Sequence, residues 1–270
     1  MGKTWSAVSS RPLRGALDAL LSVLFPAPCH VCHQPLTTAS RIPVCAVCLS
    51  SLRRIDGAVC RLCGRPFPPA VAAAPGNALC HACVRRTYRF DLARSYGRYD
   101  PAMERILILL KYQPIVPLGA WLADRIEQVV HGEPAIAKVD WLVPVPLDRS
   151  RRRSRGYNQV ELIARPLARR LGLPLRLDLL QRLRPRPNKL KLSRRERWET
   201  VRGAFVASPG RRVDRARILL VDDVLTSGAT LDACARALRS SGAEAIHAVT
   251  VGRVMPFAEP APPPHSPQSP

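Results

Sequence analysis

Aromatic side chains are scarce in this 270-residue chain, at 5% of residues, so stacking platforms for unpaired bases are few. Acids are scarce too: Asp plus Glu is 20 against 42 for Lys plus Arg, a formal net charge of +22. Lysine contributes only five of those 42 cations, and arginine carries the rest. A surplus of that size suits an anionic partner such as nucleic acid or a phosphate-rich small molecule, although a codon bias toward Arg on a solvated surface gives the same count. An apolar run of about 18 residues is lacking, which excludes a transmembrane helix. A credible export signal is also lacking. The run from Gly15 to Phe25 is interrupted by Asp18, and no small-x-small site follows before Cys29. Leu17, Leu20, Leu21, Leu24 and Phe25 have helical spacing instead, which predicts an amphipathic helix ended by Pro26 and Pro28. A cytoplasmic location is expected.

What the chain does have is an apolar content of 47%, enough for a buried core, and nine cysteines, eight of them in four identical pairs. These are Cys29/Cys32, Cys45/Cys48, Cys60/Cys63 and Cys80/Cys83. Two residues between ligands lets both thiolates of a knuckle face one tetrahedral ion, and two knuckles close a four-thiolate shell. Eight ligands predict two structural Zn²⁺ sites. Spacing leaves sequential pairing (a tandem double ribbon) and cross-braced pairing both open. A disulfide framework fits short secreted chains better. A closed shell has no open coordination position, so the metal is expected to scaffold and not to catalyse. His30, His33 and His81 lie beside ligands but are surplus to them. Cys234 stands alone in a predicted helix and reads as a small buried hydrophobe.

After Cys83 the pattern changes to alternating strands and helices. Strands are predicted at 92–99, 140–146, 203–207, 218–221 and 245–251, and helices at 102–111, 119–130, 160–171 and 229–239. This alternation predicts an α/β domain with a parallel sheet flanked by helices. The expected organisation is an N-terminal helix in 1–28, a double zinc ribbon in 29–87, the α/β domain in 88–255, and a Pro-rich disordered tail in 256–270.

The strongest local signal is Ile218-Leu-Leu-Val-Asp222-Asp223-Val-Leu225-Thr226-Ser227-Gly228-Ala229-Thr230. A buried strand is expected to end in two acids, then a loop of small hydroxyl residues, then a helix. Free backbone N–H groups at the helix start, with the hydroxyls, suit a phosphate monoester. The two carboxylates suit vicinal sugar hydroxyls, so a sugar phosphate satisfies both halves. A receiver domain, whose paired acids hold Mg²⁺, needs a phosphorylatable Asp well downstream, and Asp232 is the sole later Asp.

Residues 218–230 resemble the phosphoribosyl-diphosphate (PRPP) motif of type I phosphoribosyltransferases. Together with the four Cys pairs, the chain resembles the ComF family across about residues 17–254. Val143-Pro-Val-Pro-Leu147 followed by Arg155-Gly156-Tyr157-Asn158-Gln159 is similar to that family's diphosphate-loop segment, and Lys111-Tyr112 to its Lys-Tyr segment. The basic stretch Arg184–Arg197 resembles in position a hood that closes over the diphosphate.

The resemblance implies a type I phosphoribosyltransferase-like fold behind a small double zinc ribbon. It implies PRPP contacts from Asp222, Asp223, Leu225, Thr226, Ser227, Gly228, Ala229, Thr230, Arg155, Gly156 and Lys111, with Mg²⁺ chelated by the ligand and Asp222 and Asp223 acting at the ribose. It also implies a role in uptake of transforming DNA. Arg149, Arg151, Arg152 and Arg153, with Arg194 and Arg195, are candidate contacts to single-stranded DNA and its uptake machinery. The acceptor of a transfer reaction is not written in the sequence. A DNA-uptake accessory, an active transferase and a non-reacting PRPP sensor all stay open.

Overall fold

A computed structural model describes residues 27–36, 40–68, 77–85, 87–185, 193–211 and 213–255. The expected N-terminal helix and Pro-rich tail lie outside the described residues. The chain divides into two compact units, Met1–Ser51 and Leu52–Pro270.

In the first unit the turn at Cys29–Cys32 is followed by a short helix α1 (Ala46–Ser50), capped by Cys45, whose sulfur accepts from the Cys48 amide. The second unit carries its own pair of knuckles, with a one-turn helix α2 (His81–Val84) after Cys80. The α/β elements follow: β1 (Leu92–Arg98), α3 (Pro101–Tyr112), α4 (Val116–His131), β2 (Trp141–Pro144), α5 (Arg149–Arg155), α6 (Gln159–Leu171), β3 (Leu180–Arg182), α7 (Arg194–Val201), β4 (Phe205–Ala207), β5 (Arg217–Leu225), α8 (Ala229–Ser240) and β6 (Ala245–Arg253).

Four strands form a parallel sheet in the order β1-β6-β5-β2, and β3 pairs with β4 in a small antiparallel ribbon. The central strands β5 and β6 are buried on both faces, and β5 reads as a continuous apolar run over Ile218–Val221. Even-numbered Ile218 and Leu220 join Leu231, Cys234 and Leu238 of α8, with Phe205 of β4, in one core. Leu219 and Val221 point the other way, where α4 and α6 pack on each other and on β1, β6 and β2. The free edge of β1 is closed by the segment from Arg53 to Leu62: the Ala93 amide donates to Leu62 O at 2.7 Å, Ile55 N to Tyr96 O at 2.9 Å, and Arg98 N to Arg53 O at 2.8 Å. An edge so covered offers no template for another strand.

The helices and strands expected between 92 and 251 are present, with differences: β3 was not expected, and β4 pairs with it in an antiparallel ribbon outside the parallel sheet. The strand read as Ile218–Val221 continues through both acids to Leu225, because its partner β6 stays in register as far as Arg253. The acids therefore sit inside a strand and not after it. Arg149–Arg155, read only as a charge cluster, is a helix. Asp148 caps its N-terminus and Gly156, at φ 76°, ends it. Arg194–Val201 is likewise a helix, started by a capping box between Ser193 and Glu196. Residues 186–192 of the expected hood lie outside the described residues.

Candidate phosphate site and thiolate clusters

The eight paired cysteines gather into two groups, Cys29/Cys32/Cys45/Cys48 and Cys60/Cys63/Cys80/Cys83, with all sulfurs of a group within 4.8 Å of one another. Pairing is thus sequential, and cross-bracing is excluded. A tetrahedral ion with Zn–S bonds of about 2.3 Å sets its sulfurs about 3.8 Å apart. Cys32 to Cys45 and Cys63 to Cys80 are each 3.7 Å apart. Burial works against the Cys29 thiolate, but amides of Cys32, Cys45 and Val31 outweigh it and lower the thiol to about 6. In the second group Cys83 is pushed up by Cys60, then Cys63 and Cys80, the repulsion a divalent cation removes. The donor set therefore fits structural zinc, whose contribution is a cross-link between two chain segments. His30, His33 and His81 are exposed and outside both groups, and Cys234 is fully buried.

Asp222 and Asp223 are both 9% exposed. Being neighbours in a strand they project to opposite faces. Asp223 meets Lys111 Nζ at 3.1 Å and accepts from Gln159 Nε2 at 3.1 Å. Asp222 lies on the α8 side, where its charge and, more strongly, burial push the Cys234 thiol well above its usual range. Its Oδ1 accepts from the Asp223 amide at 2.9 Å. Tyr99, pushed up to about 12 by burial and then by Glu104 and Asp223, stays a neutral hydroxyl beside these acids.

Each residue of the Arg155–Gln159 segment has a local task. Gly156 takes the left-handed conformation that ends α5. Tyr157 donates to Leu110 O at 3.0 Å, holding the end of α3 in place. Asn158 caps α6 through Val160 N and donates to Val145 O at 3.0 Å, tying that cap to the exit of β2. Gln159 bridges Asp223 and Arg155, whose guanidinium also lies 5.4 Å from the Tyr112 ring centroid. So α3, β2, α6 and β5 converge on Asp223, at the carboxyl ends of the parallel strands, where open α/β sheets bind ligands. Sequence reading did not anticipate the Gln159–Asp223 contact. Its signal was the place of Gln159 at the end of the Arg155–Gln159 segment, which carried the resemblance but named no partner.

Beyond Leu225 the chain turns at Gly228, at φ 81°, straight into α8. Ser227 Oγ accepts weakly from Ala229 N at 3.4 Å, and the first amides of α8 are directed at the loop. Tyr88 closes the loop from outside. Its hydroxyl donates to Ser227 O at 3.1 Å, and a Cβ at Gly228 would lie 2.7 Å from its ring. Sequence reading did not single out Tyr88.

Among the Arg residues read as nucleic-acid contacts, Arg149 and Arg153 are exposed on α5 with no ion pair among the described residues. Arg152 pairs with Glu161 at 2.7 Å, Arg151 lies 3.8 Å from Asp148, and Arg195 pairs with Glu199 at 2.9 Å. Arg194 opens α7.

A parallel sheet whose paired acids lead through a turn into a helix, in a chain with two four-thiolate groups, defines a phosphoribosyltransferase-like fold with a double zinc ribbon. The sequence matches the double zinc ribbon domain over residues 20–84 and the phosphoribosyl transferase domain over residues 161–256. It is 30% identical to competence protein ComFC of Bacillus subtilis, over 74% of this chain and 79% of that one. It is 29% identical to DNA utilization protein YhgH of Salmonella typhimurium, over 82% of this chain and 94% of that one. The crystal structure of an adenine phosphoribosyltransferase aligns with 56% of this chain and 76% of its own at 16% identity and a TM-score of 0.34. The sequence relatives make the assignment: the chain belongs to the ComF family of competence-related proteins.

Proposed function

We propose that this protein binds PRPP with Mg²⁺ at the Leu225–Thr230 loop and supports uptake or processing of transforming single-stranded DNA in the cytoplasm. The observation that carries the ligand is the convergence at the end of β5: a left-handed Gly228, uncapped helix amides and hydroxyls beside two buried acids. Amides and the hydroxyls of Thr226, Ser227 and Thr230 take the phosphate. Asp222 and Asp223 take ribose hydroxyls, and Mg²⁺ is held by the ligand's own oxygens. Lys111 and Arg155 supply positive charge for the diphosphate. The Lys111–Asp223 pair opens when the ribose enters, and Gln159 then keeps one hydrogen bond on the carboxylate.

The DNA role is supported by the net charge of +22, by exposed Arg149 and Arg153, and by the names of the relatives. Tyr112, 71% exposed and stacked near Arg155, adds an aromatic face for a base close to the same mouth. The two thiolate clusters fit a reducing compartment.

Calorimetry with PRPP and Mg²⁺ tests the ligand: the native protein binds, and Asp222→Asn with Asp223→Asn does not. Equal binding by both overturns it. Diphosphate release on adding a nitrogenous acceptor identifies an active transferase. For the DNA, affinity falls steeply with salt, and Arg149→Ser with Arg153→Ser lowers the log–log slope by about 1–2. An unchanged slope removes α5 from the interface.

A further inference from the structure

We infer that the second thiolate cluster is a positioning element for the phosphate loop, acting through Tyr88 and Arg253, so that metal occupancy and phosphoribosyl binding are coupled. This rests on the loop being the phosphate site.

The knuckle Cys60–Gly64 is docked directly on the transferase sheet. Leu62 O accepts from Ala93 N, and Gly64 lies so close to β1 that a Cβ there would be 2.7 Å from Ala93 O. Arg253, 2% exposed at the end of β6, donates to Cys63 O at 2.6 Å and to Cys63 Sγ at 3.2 Å. Arg253 is in register with Leu225, the last strand residue before Thr226, and Val254 N donates to Leu225 O at 3.0 Å. One end of the phosphate loop is thus one strand away from a metal-ligand sulfur. The other contact is Tyr88, which packs on the buried group Cys60, Cys63, Cys80, Ala82 and Cys83. From there it reaches Ser227 O and covers Gly228, and its ring lies 4.7 Å from Phe90 and 5.8 Å from Trp198 of α7.

A core of five small residues does not hold its shape by apolar burial alone, so a bound cation sets its geometry. With the four sulfurs fixed, Tyr88 and Arg253 have rigid supports and the loop is pre-organised. With them released, both supports are lost and the loop must be ordered by the ligand itself. Linkage makes the effect reciprocal: ligand on the loop slows loss of the metal.

Two readouts test this on the full-length protein. Amide hydrogen exchange of residues 225–230 is compared in native, chelator-treated and Tyr88→Ala protein, with α4 as the internal control. Loss of one anchoring hydrogen bond and its ring contact predicts about tenfold lower protection of the loop, with α4 unchanged. Tyr88→Phe, which keeps the ring, gives a smaller loss. Zinc release to a chromogenic chelator is then followed with and without PRPP–Mg²⁺. PRPP slows the slower-exposed half of the zinc in native protein, and the slowing disappears in Tyr88→Ala. Loop protection that survives metal removal and Tyr88→Ala overturns the coupling, as does zinc release indifferent to bound PRPP. If calorimetry finds that PRPP does not bind native protein, the phosphate-site reading fails, and the exchange comparison alone decides the coupling.

Discussion

Asp223 is a nearly buried carboxylate paired with a half-buried lysine and an amide, with side-chain exposures of 12% for Asp223 and 24% for Lys111. Removing the lysine takes away a cation 3.1 Å from this anion. Lys111→Met should therefore destabilise the fold by about 2 kcal/mol, and adding Asp223→Asn should recover most of it, since a neutral amide needs no counter-charge. Urea unfolding of the four members of this double-mutant cycle measures the coupling, and additive effects would show that the pair is solvent-screened. The acids were legible in the sequence because adjacent carboxylates at the end of an apolar run are rare without a partner. The partners were only half legible. Lys111 and the segment containing Gln159 were found by resemblance, but the contact of Gln159 with Asp223 and the role of Tyr88 were not, because no local pattern encodes a contact between distant elements. Only the fold sets their distances.

At the scale of elements, the strands and helices of the sheet were readable from hydrophobic period. Burial on both faces makes Ile218–Val221 of β5 a continuous apolar run and leaves β6 mostly apolar, and one-sided burial gives α4 and α6 their stripes. What the pattern missed has a physical cause. Arg149–Arg155 buries no residue, so it has no apolar stripe, and only its Asp148 and Gly156 caps reveal a helix. The true end of β5 was hidden because backbone pairing with β6 continues through the two acids, which interrupt the apolar pattern, to Leu225.

Strand β6 also carries a pH sensitivity. Burial lowers the His247 pKa below its ordinary 6.5, only partly offset by Asp91 and Glu133, and its Nδ1 lacks a hydrogen-bond partner. The unfolded chain therefore takes up this proton first as pH falls. Stability from this residue is complete above 6.5 and declines below it. His247→Gln should flatten the dependence of unfolding free energy on pH as pH falls below 6.5. Denaturant titrations across that range check it, and an unchanged slope would assign the dependence to carboxylates.

At the scale of the molecule, the two cysteine groups fall into different compact units, one in Met1–Ser51 and one in Leu52–Pro270. The second group belongs structurally to the parallel sheet, whose β1 edge its chain segment seals. Metal analysis of reduced protein should find about two zinc ions per chain, and binding should weaken as pH falls because thiols must lose protons to ligate. Removing metal should cost stability in both units, read as a lowered melting temperature by calorimetry. A metal-free protein with an unaltered melting temperature would reduce the clusters to ordinary buried thiols.

The sequence by itself determined the local chemistry: thiolate pairs at tetrahedral spacing, paired acids before a hydroxyl-rich turn, and an arginine surplus are local facts that need no neighbours. Tertiary structure decided which thiolates gather together, which face each acid takes, and that Tyr88 and Arg253 link the second cysteine group to the Leu225–Thr230 loop. Those depend on strand register and on distances between residues as many as 190 apart in the chain, and short-range pattern carries no information about either.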